Sequence, residues 1–134
     1  MITLTIPGEP VAKGRPRFFN NHAITPQKTV NYETLIKELF SINYPRHIPS
    51  ERPLVLLLRA YFTIPQSWSK KKINAALAEE LRPTKKPDID NIIKCIDALN
   101  GMAFKDDSQI ISVNAGKWYS DRPRMEIDIY EAEG

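Results

Sequence analysis

The sequence lacks the features that mark secreted and membrane proteins. Cys95 is the single cysteine among 134 residues, so no intrachain disulfide can form. No run is long and apolar enough to span a bilayer, and the first residues lack the charged and apolar regions of a signal peptide. We therefore expect a chain of the reducing cytoplasm that has no membrane partner.

A strong charge of one sign is also lacking, because the formal net charge is only +3 and the isoelectric point is about 9.0. The charges are unevenly distributed, however. Acidic residues collect in 88–107 and basic residues in 13–17, 70–72 and 82–86. Such segregation is expected of a protein that holds phosphates beside a metal ion, although separate solvated faces would give the same pattern.

Length and hydrophobic periodicity predict one domain over residues 1–134. Residues 54–62 are nearly all apolar or aromatic, which is typical of a strand that is covered on both faces and central in its sheet. Other patterns predict strands at 2–6, 109–118 and 124–131, helices at 29–43, 70–81 and 88–100, and a turn at 120–123. The fold class is therefore α+β, with a mixed or largely antiparallel sheet and helices packed mainly on one face.

The start of the third predicted helix carries the most chemistry. In the stretch KPDIDNIIK (86–94), Asp88 is placed as an N-cap and Asp90 in the first turn, where the helix dipole favours negative charge. Both carboxylates can aim at one point and stay ionised, as ligands of a hard cation must. Lys94 follows Asp90 by one turn on the same face, where an ammonium group could stabilise charge developing on a phosphate.

A second acidic pair, Asp106 and Asp107, follows this helix after a short turn. A carboxylate from this loop can return to the helix N-terminus as a third ligand, and a bound cation would relieve the repulsion among three aspartates. Each feature also has a purely structural interpretation: a helix cap, a surface ion pair and a turn. The joint pattern favours a metal site for phosphodiester hydrolysis, and the structural interpretations stay open.

These residues resemble the RusA family of Holliday junction resolvases, small endonucleases of bacteria and their phages or prophages. The resemblance rests on KPDIDNIIK (86–94), DALNG (97–101) and FKDD (104–107), with weaker support from KGRPR (13–17). It extends to chain size and element order, including a C-terminal hairpin. It implies a RusA-like endonuclease domain that acts as a homodimer and makes paired cuts in four-way DNA junctions with Mg²⁺, or Mn²⁺ in its place.

The resemblance also implies roles for single residues. The metal-site aspartates of the family correspond to Asp88, Asp90 and Asp107, and its essential lysine corresponds to Lys94. One departure is that Asp97 follows Lys94 by three positions, where some members have four, which leaves the role of Asp97 open.

From these roles we predict a mechanism and a DNA surface. Lys94 would stabilise the transition state or orient the attacking water, and Asp106 would support the ligands without binding the metal. Flanking phosphates are assigned to basic residues of two loops: Lys13, Arg15, Arg17, Lys85 and Lys86. Two alternatives stay open: a structure-selective DNA-binding protein without catalysis, and a metal-dependent nuclease acting on other branched DNA or on RNA.

Overall fold

The strands of the protein form two sheets of different size. The structure, a computed structural model, describes residues 1–15 and 17–132. Its strands are β1 (Ile2–Pro7), β2 (Arg17–Phe19), β3 (His22–Ile24), β4 (Leu54–Thr63), β5 (Ile110–Ser120) and β6 (Arg124–Glu131). The larger sheet has the order β1-β6-β4-β5, and β2 pairs with β3 in a separate hairpin. Because β4 runs parallel to β5 and antiparallel to β6, the larger sheet is mixed.

Within residues 1–15 and 17–132, three α-helices and two 3₁₀ helices connect the strands. They are α1 (Gln27–Asn43), α2 (Lys70–Leu77), α3 (Ile89–Ile93), the first 3₁₀ helix (Lys94–Leu99) and the second 3₁₀ helix (Asp107–Gln109). None of the helices in the described residues is both long and apolar enough to cross a membrane.

The core lies between one face of the larger sheet and the helices. Along β1 and β6 every second side chain is buried, as the period of a strand with one covered face requires. These side chains pack against α1, α3 and the first 3₁₀ helix, with Ile36, Phe104 and Leu99 among the fully buried residues. The predicted α+β class with helices packed mainly on one face is confirmed.

Strand β4 is central, as its composition predicts, but it is not covered equally on both faces. Its side chains alternate between buried and half-buried. On the less buried face Arg59 binds Glu126 at 3.0 Å and Asp128 at 3.3 Å. The polar face is therefore closed by ion pairs between neighbouring strands, which the apolar run of residues 54–62 did not indicate.

The expected C-terminal hairpin is wrong, because β4 lies between β5 and β6. The segment 121–123 still turns the chain, but the turn crosses the end of β4. Two strand spacings are about 9.6 Å, and the four Cα–Cα steps from Ser120 to Arg124 can span about 13 Å. The short connection is therefore long enough to place β6 on the far side of β4.

Two helix predictions also need correction. Helix α2 begins after its cap Ser69, as expected, but ends at Leu77 because Glu79 has a left-handed backbone (φ 65°) and the amide of Leu81 bonds back to the carbonyl of Ala75. Leu77 is consequently 51% exposed and not part of the core. The helix predicted over 88–100 is α-helical only to Ile93 and continues as the first 3₁₀ helix.

Candidate functional site

The first turn of α3 brings Asp88 and Asp90 to one groove. Asp88 is the N-cap residue in extended conformation, yet its side chain makes no capping hydrogen bond. Both carboxylates are exposed, and residues 115–117 of β5 form the facing wall. Capping alone therefore does not account for the carboxylate of Asp88, and both groups are open to a ligand in the groove.

Lys117 ties the beginning of α3 to the sheet. Its ammonium group donates to the carbonyl oxygens of Lys85 at 2.8 Å and Pro87 at 2.9 Å. Pro87 directly precedes Asp88, so these bonds hold the backbone that presents the first carboxylate. Arg82 also lines the groove, and its guanidinium donates to the carbonyl oxygen of Lys117 at 2.6 Å. The groove thus contains two carboxylates and two cations.

Lys94 lies at the junction of α3 and the first 3₁₀ helix. It is exposed, and its ammonium group donates to the side-chain oxygen of Asn91 at 3.2 Å. Within residues 1–15 and 17–132 it forms no ion pair with Asp90. The interpretation of these two residues as a surface ion pair is therefore not supported by their contacts.

Asp97 and Asp107 form a second carboxylate pair. Their carboxyl groups are hydrogen-bonded to each other, and the ammonium nitrogen of Lys13 lies 3.0 Å from Asp97. Burial opposes the charge on Asp97, but hydrogen bonds with Asp107 and Lys13 hold its pKa below the usual value. The hydrogen bond with Asp97, helped by burial, raises the pKa of Asp107. The two groups therefore share a proton more readily than separated aspartates would.

The neighbouring Asp106 has a different task. Its carboxylate accepts from the amide of Ser108 at 3.0 Å, and its own amide donates to the side-chain oxygen of Gln109 at 2.8 Å. This capping box begins the second 3₁₀ helix. The bonds from Ser108 lower the pKa of Asp106. Of the acidic pair, only Asp107 is therefore turned towards other carboxyl groups.

The three predicted metal ligands are not assembled at one point. Asp88 and Asp90 share the groove, whereas Asp107 contacts Asp97. No cluster of three His, Cys, Asp or Glu side chains able to hold a metal ion occurs in the part of the chain that the structure describes. The donor chemistry suits Mg²⁺, since carboxylate oxygens are its usual protein ligands. The arrangement is thus two separate carboxylate pairs, one open and one hydrogen-bonded internally.

The predicted phosphate contacts divide into two groups. Arg15, Arg17, Lys85 and Lys86 have exposed side chains. Lys13 is instead engaged by Asp97 at 3.0 Å and by a glutamate of α1 at 3.7 Å. Its ammonium group is therefore committed to the protein itself, and a role in DNA contact would have to compete with these ion pairs.

The aromatic residues near the groove pack on one another. The rings of Trp68 and Tyr119 are 5.0 Å apart in an edge-on arrangement, and Lys72 lies 4.1 Å above the ring of Trp68. The guanidinium of Arg82 lies 4.2 Å from the ring of Trp118. These faces are already covered, so they are poorly placed to stack on bases.

Sequence reasoning left two residues of the site without a role. Asp97 was expected near the same helix face as Lys94, but its role was left open because some family members have a spacing of four residues between the lysine and this aspartate. Lys117 falls in a strand far along the chain, and its contact with the 85–87 segment depends on the sheet order. The DALNG motif (97–101) was the one signal that pointed to Asp97.

Comparison with known proteins identifies the family of this chain. Residues 7–130 match the family model described as "Endodeoxyribonuclease RusA". A Bacillus subtilis (strain 168) protein described as "Uncharacterized protein YqaN" is 39% identical over 137 residues, covering 97% of this chain and 96% of that protein. Family members are hydrolases that resolve Holliday junctions and depend on a divalent metal. With nearly its whole length matched, the chain belongs to the RusA family of endodeoxyribonucleases.

Proposed function

We propose that this endodeoxyribonuclease resolves four-way DNA junctions with Mg²⁺, using Asp88, Asp90, Asp107 and Lys94. The observation that carries the proposal is the groove at the beginning of α3, where two exposed carboxylates have no capping or ion-pair partner among the contacts of the described residues. Carboxylate oxygens are the ligands that a hard divalent cation prefers, and these two are open to one in the groove.

Asp88, Asp90 and Asp107 are the proposed ligands of the metal, with Mn²⁺ as a substitute for Mg²⁺. A divalent cation supplies charge neutralisation of phosphate oxygens and lowers the pKa of water. For Asp107 to hold the cation with the other two, its carboxyl group would have to leave Asp97. Lys13 would be the remaining partner of Asp97, since its ammonium group lies 3.0 Å from that carboxylate.

Lys94 is proposed to stabilise charge on the scissile phosphate. Its ammonium group is exposed and held by one neutral partner, Asn91, so it is available to a phosphate oxygen without breaking an ion pair. An ammonium group fixed beside developing negative charge stabilises the transition state more than the ground state. Arg15, Arg17, Lys85 and Lys86 are proposed to bind flanking phosphates, with Lys13 in a secondary role.

The assembly and compartment are also part of the proposal. Paired cuts on opposite strands of a symmetric junction require two active sites, so we propose a homodimer. We also propose the reducing cytoplasm as its compartment, because the chain has a single cysteine.

The test is cleavage of a synthetic four-way junction by the purified protein with Mg²⁺, with Mn²⁺ and with EDTA. We expect paired nicks that require the metal. Binding without cleavage in any metal would favour a structure-selective DNA-binding protein. Equal or faster cleavage of a flap, a linear duplex or RNA would instead assign the activity to another substrate class.

A further inference from the structure

The β2–β3 hairpin exposes apolar side chains that no other part of the described chain covers. All six of its strand residues are exposed, with Phe18 at 78%, Phe19 at 66% and Ile24 at 49%. A two-stranded hairpin is marginally stable alone, and exposed aromatic patches usually mark a binding surface. The hairpin is therefore expected to contact a partner.

The geometry of the hairpin is well defined. Asn20 and Asn21 form its two-residue loop with positive φ of 50° and 65°, as a type I′ turn requires. In the register Phe19 faces His22 and Arg17 faces Ile24. Since alternate strand residues share a face, Phe19 lies beside a cation on one face and Phe18 projects from the other. The two rings are thus presented in opposite directions near the tip.

The base of the hairpin is attached to the active-site helices. The amide of Lys13 donates to the carbonyl oxygen of Asn91 at 3.0 Å, and the Lys13 ammonium binds Asp97. The amide of Gly14 donates to the hydroxyl of the buried Thr29 at 2.9 Å. A Cβ at Gly14 would lie 2.8 Å from the ring of Pro26, so this close approach requires glycine. The segment that precedes the hairpin therefore contacts the helix that carries Asp90.

The charge around the hairpin favours a polyanion as the partner. The chain contains no acidic residue between Glu9 and Glu33, while basic residues occur at Lys13, Arg15, Arg17 and Lys28. A second copy of the chain would bring this acid-free segment against an identical one, which like charges oppose. A DNA backbone complements it.

We propose that the hairpin recognises the branch point of DNA, with Phe18 and Phe19 stacking on bases that are unstacked where the arms meet. Aromatic side chains bind any exposed base face without sequence preference. The arginines beside them hold the adjacent phosphates. This inference rests on the proposed function, and it assigns the discrimination between a junction and a linear duplex to the two rings.

The test measures binding in an Asp90→Asn background, where DNA is not cut, to a junction with 2-aminopurine at the branch point. Loss of both rings in Phe18→Ala/Phe19→Ala should weaken junction binding by about 10-fold or more and abolish the fluorescence change. Affinity for a linear duplex should change by less than about 2-fold, since the phosphate contacts remain. A Phe18→Leu/Phe19→Leu variant keeps the apolar bulk and should show the same loss.

A matched control is Ile42→Ala/Ile48→Ala, which removes two side chains that are 74% and 82% exposed. Ile42 is at the far end of α1, roughly 20 Å along the helix from the hairpin, so its junction binding should be unchanged. Junction affinity that survives the loss of both rings would overturn the inference. A change from dimer to monomer in the Phe18→Ala/Phe19→Ala variant, measured by sedimentation, would also overturn it. That result would assign the hairpin to contact between subunits. If the protein with its natural hairpin neither cuts nor selectively binds a junction, the proposed function itself is wrong. That outcome is distinguishable from failure of this inference alone.

Discussion

The two carboxylate pairs of the site differ in how the protein supports them. Asp88 and Asp90 are exposed and are fixed mainly through the backbone, which Lys117 holds from β5. Asp97 and Asp107 are half-buried and bonded to each other, and Asp97 is also bonded to Lys13. The first pair is ready for an external cation. The second is satisfied internally, so it must rearrange before Asp107 can serve as a ligand.

The largest effect is expected from removing charge in the open pair. Asp90→Asn should lower junction cleavage at saturating Mg²⁺ by about 10³-fold, because the charge that binds the cation is halved in the groove. The fold and junction affinity should be retained, since the Asp90 carboxylate forms no ion pair within the described residues. Single-turnover kinetics measure the cleavage rate, and a thermal melt measures whether the fold is retained. Asp106→Asn is the matched control, because asparagine also caps helices well, and near-normal cleavage is expected there.

A smaller effect is expected from removing Lys117, which holds the backbone before Asp88 and Asp90 from strand β5. Lys117→Met removes the two bonds to the segment before Asp88 and should lower cleavage or raise the Mg²⁺ concentration for half-maximal rate by about 10- to 100-fold. Junction affinity should stay near normal. Lys117→Arg should restore part of the activity, because it can still donate to the carbonyl oxygens. A loss of DNA binding equal to the loss of cleavage would show that Lys117 contacts DNA instead.

The basic residues beside the two pairs should differ in their salt dependence. Arg17→Met should reduce the slope of log affinity against log salt by about 1, since one phosphate contact is lost. Lys13→Met should leave that slope nearly unchanged, because its ammonium group is bound to Asp97. Fluorescence anisotropy from low to high salt measures both slopes. Equal reductions would mean that Lys13 leaves Asp97 to bind DNA.

The smallest effect concerns stability of the internally bonded pair. The folded-state pKa of Asp107 is raised, so folding favours its protonated form, and this contribution is lost as pH rises above the unfolded value of 3.8. Asp107→Asn should therefore be more stable than the unmodified protein at neutral pH, by about 0.5 kcal/mol after solvent screening. This gain in stability should vanish below the unfolded-state pKa of 3.8. Urea melts at pH 3 and pH 7 test it, and a variant less stable at pH 7 would contradict the pairing.

Much of the site was accessible from local patterns. Asp88 and Asp90 follow a proline at a helix start, and the order of cap, first turn and later lysine depends only on neighbours in the chain. The central position of β4 followed from its nearly continuous apolar run. The choice of Asp107 over Asp106 came from the family resemblance, and the capping box of Asp106 supports it.

The parts that failed depend on contacts between distant segments. Strands β5 and β6 pair with opposite edges of β4. Nothing in residues 109–131 alone indicates this arrangement. The first 3₁₀ helix is a similar case. It rises about 2.0 Å per residue, compared with 1.5 Å in an α-helix, so it spans the same distance with fewer residues. Its repeat of three places Asp97 in line with Lys94.

The sequence by itself determined the chemistry that this protein has available: carboxylates at a helix start, a lysine nearby, basic loops and an α+β fold, because these depend on residue type and short-range spacing. Only the tertiary structure decided the grouping of the aspartates, the support by Lys117 and the exposure of the β2–β3 hairpin. Those features depend on which elements the shared apolar core brings together, and a core forms between residues far apart in the chain.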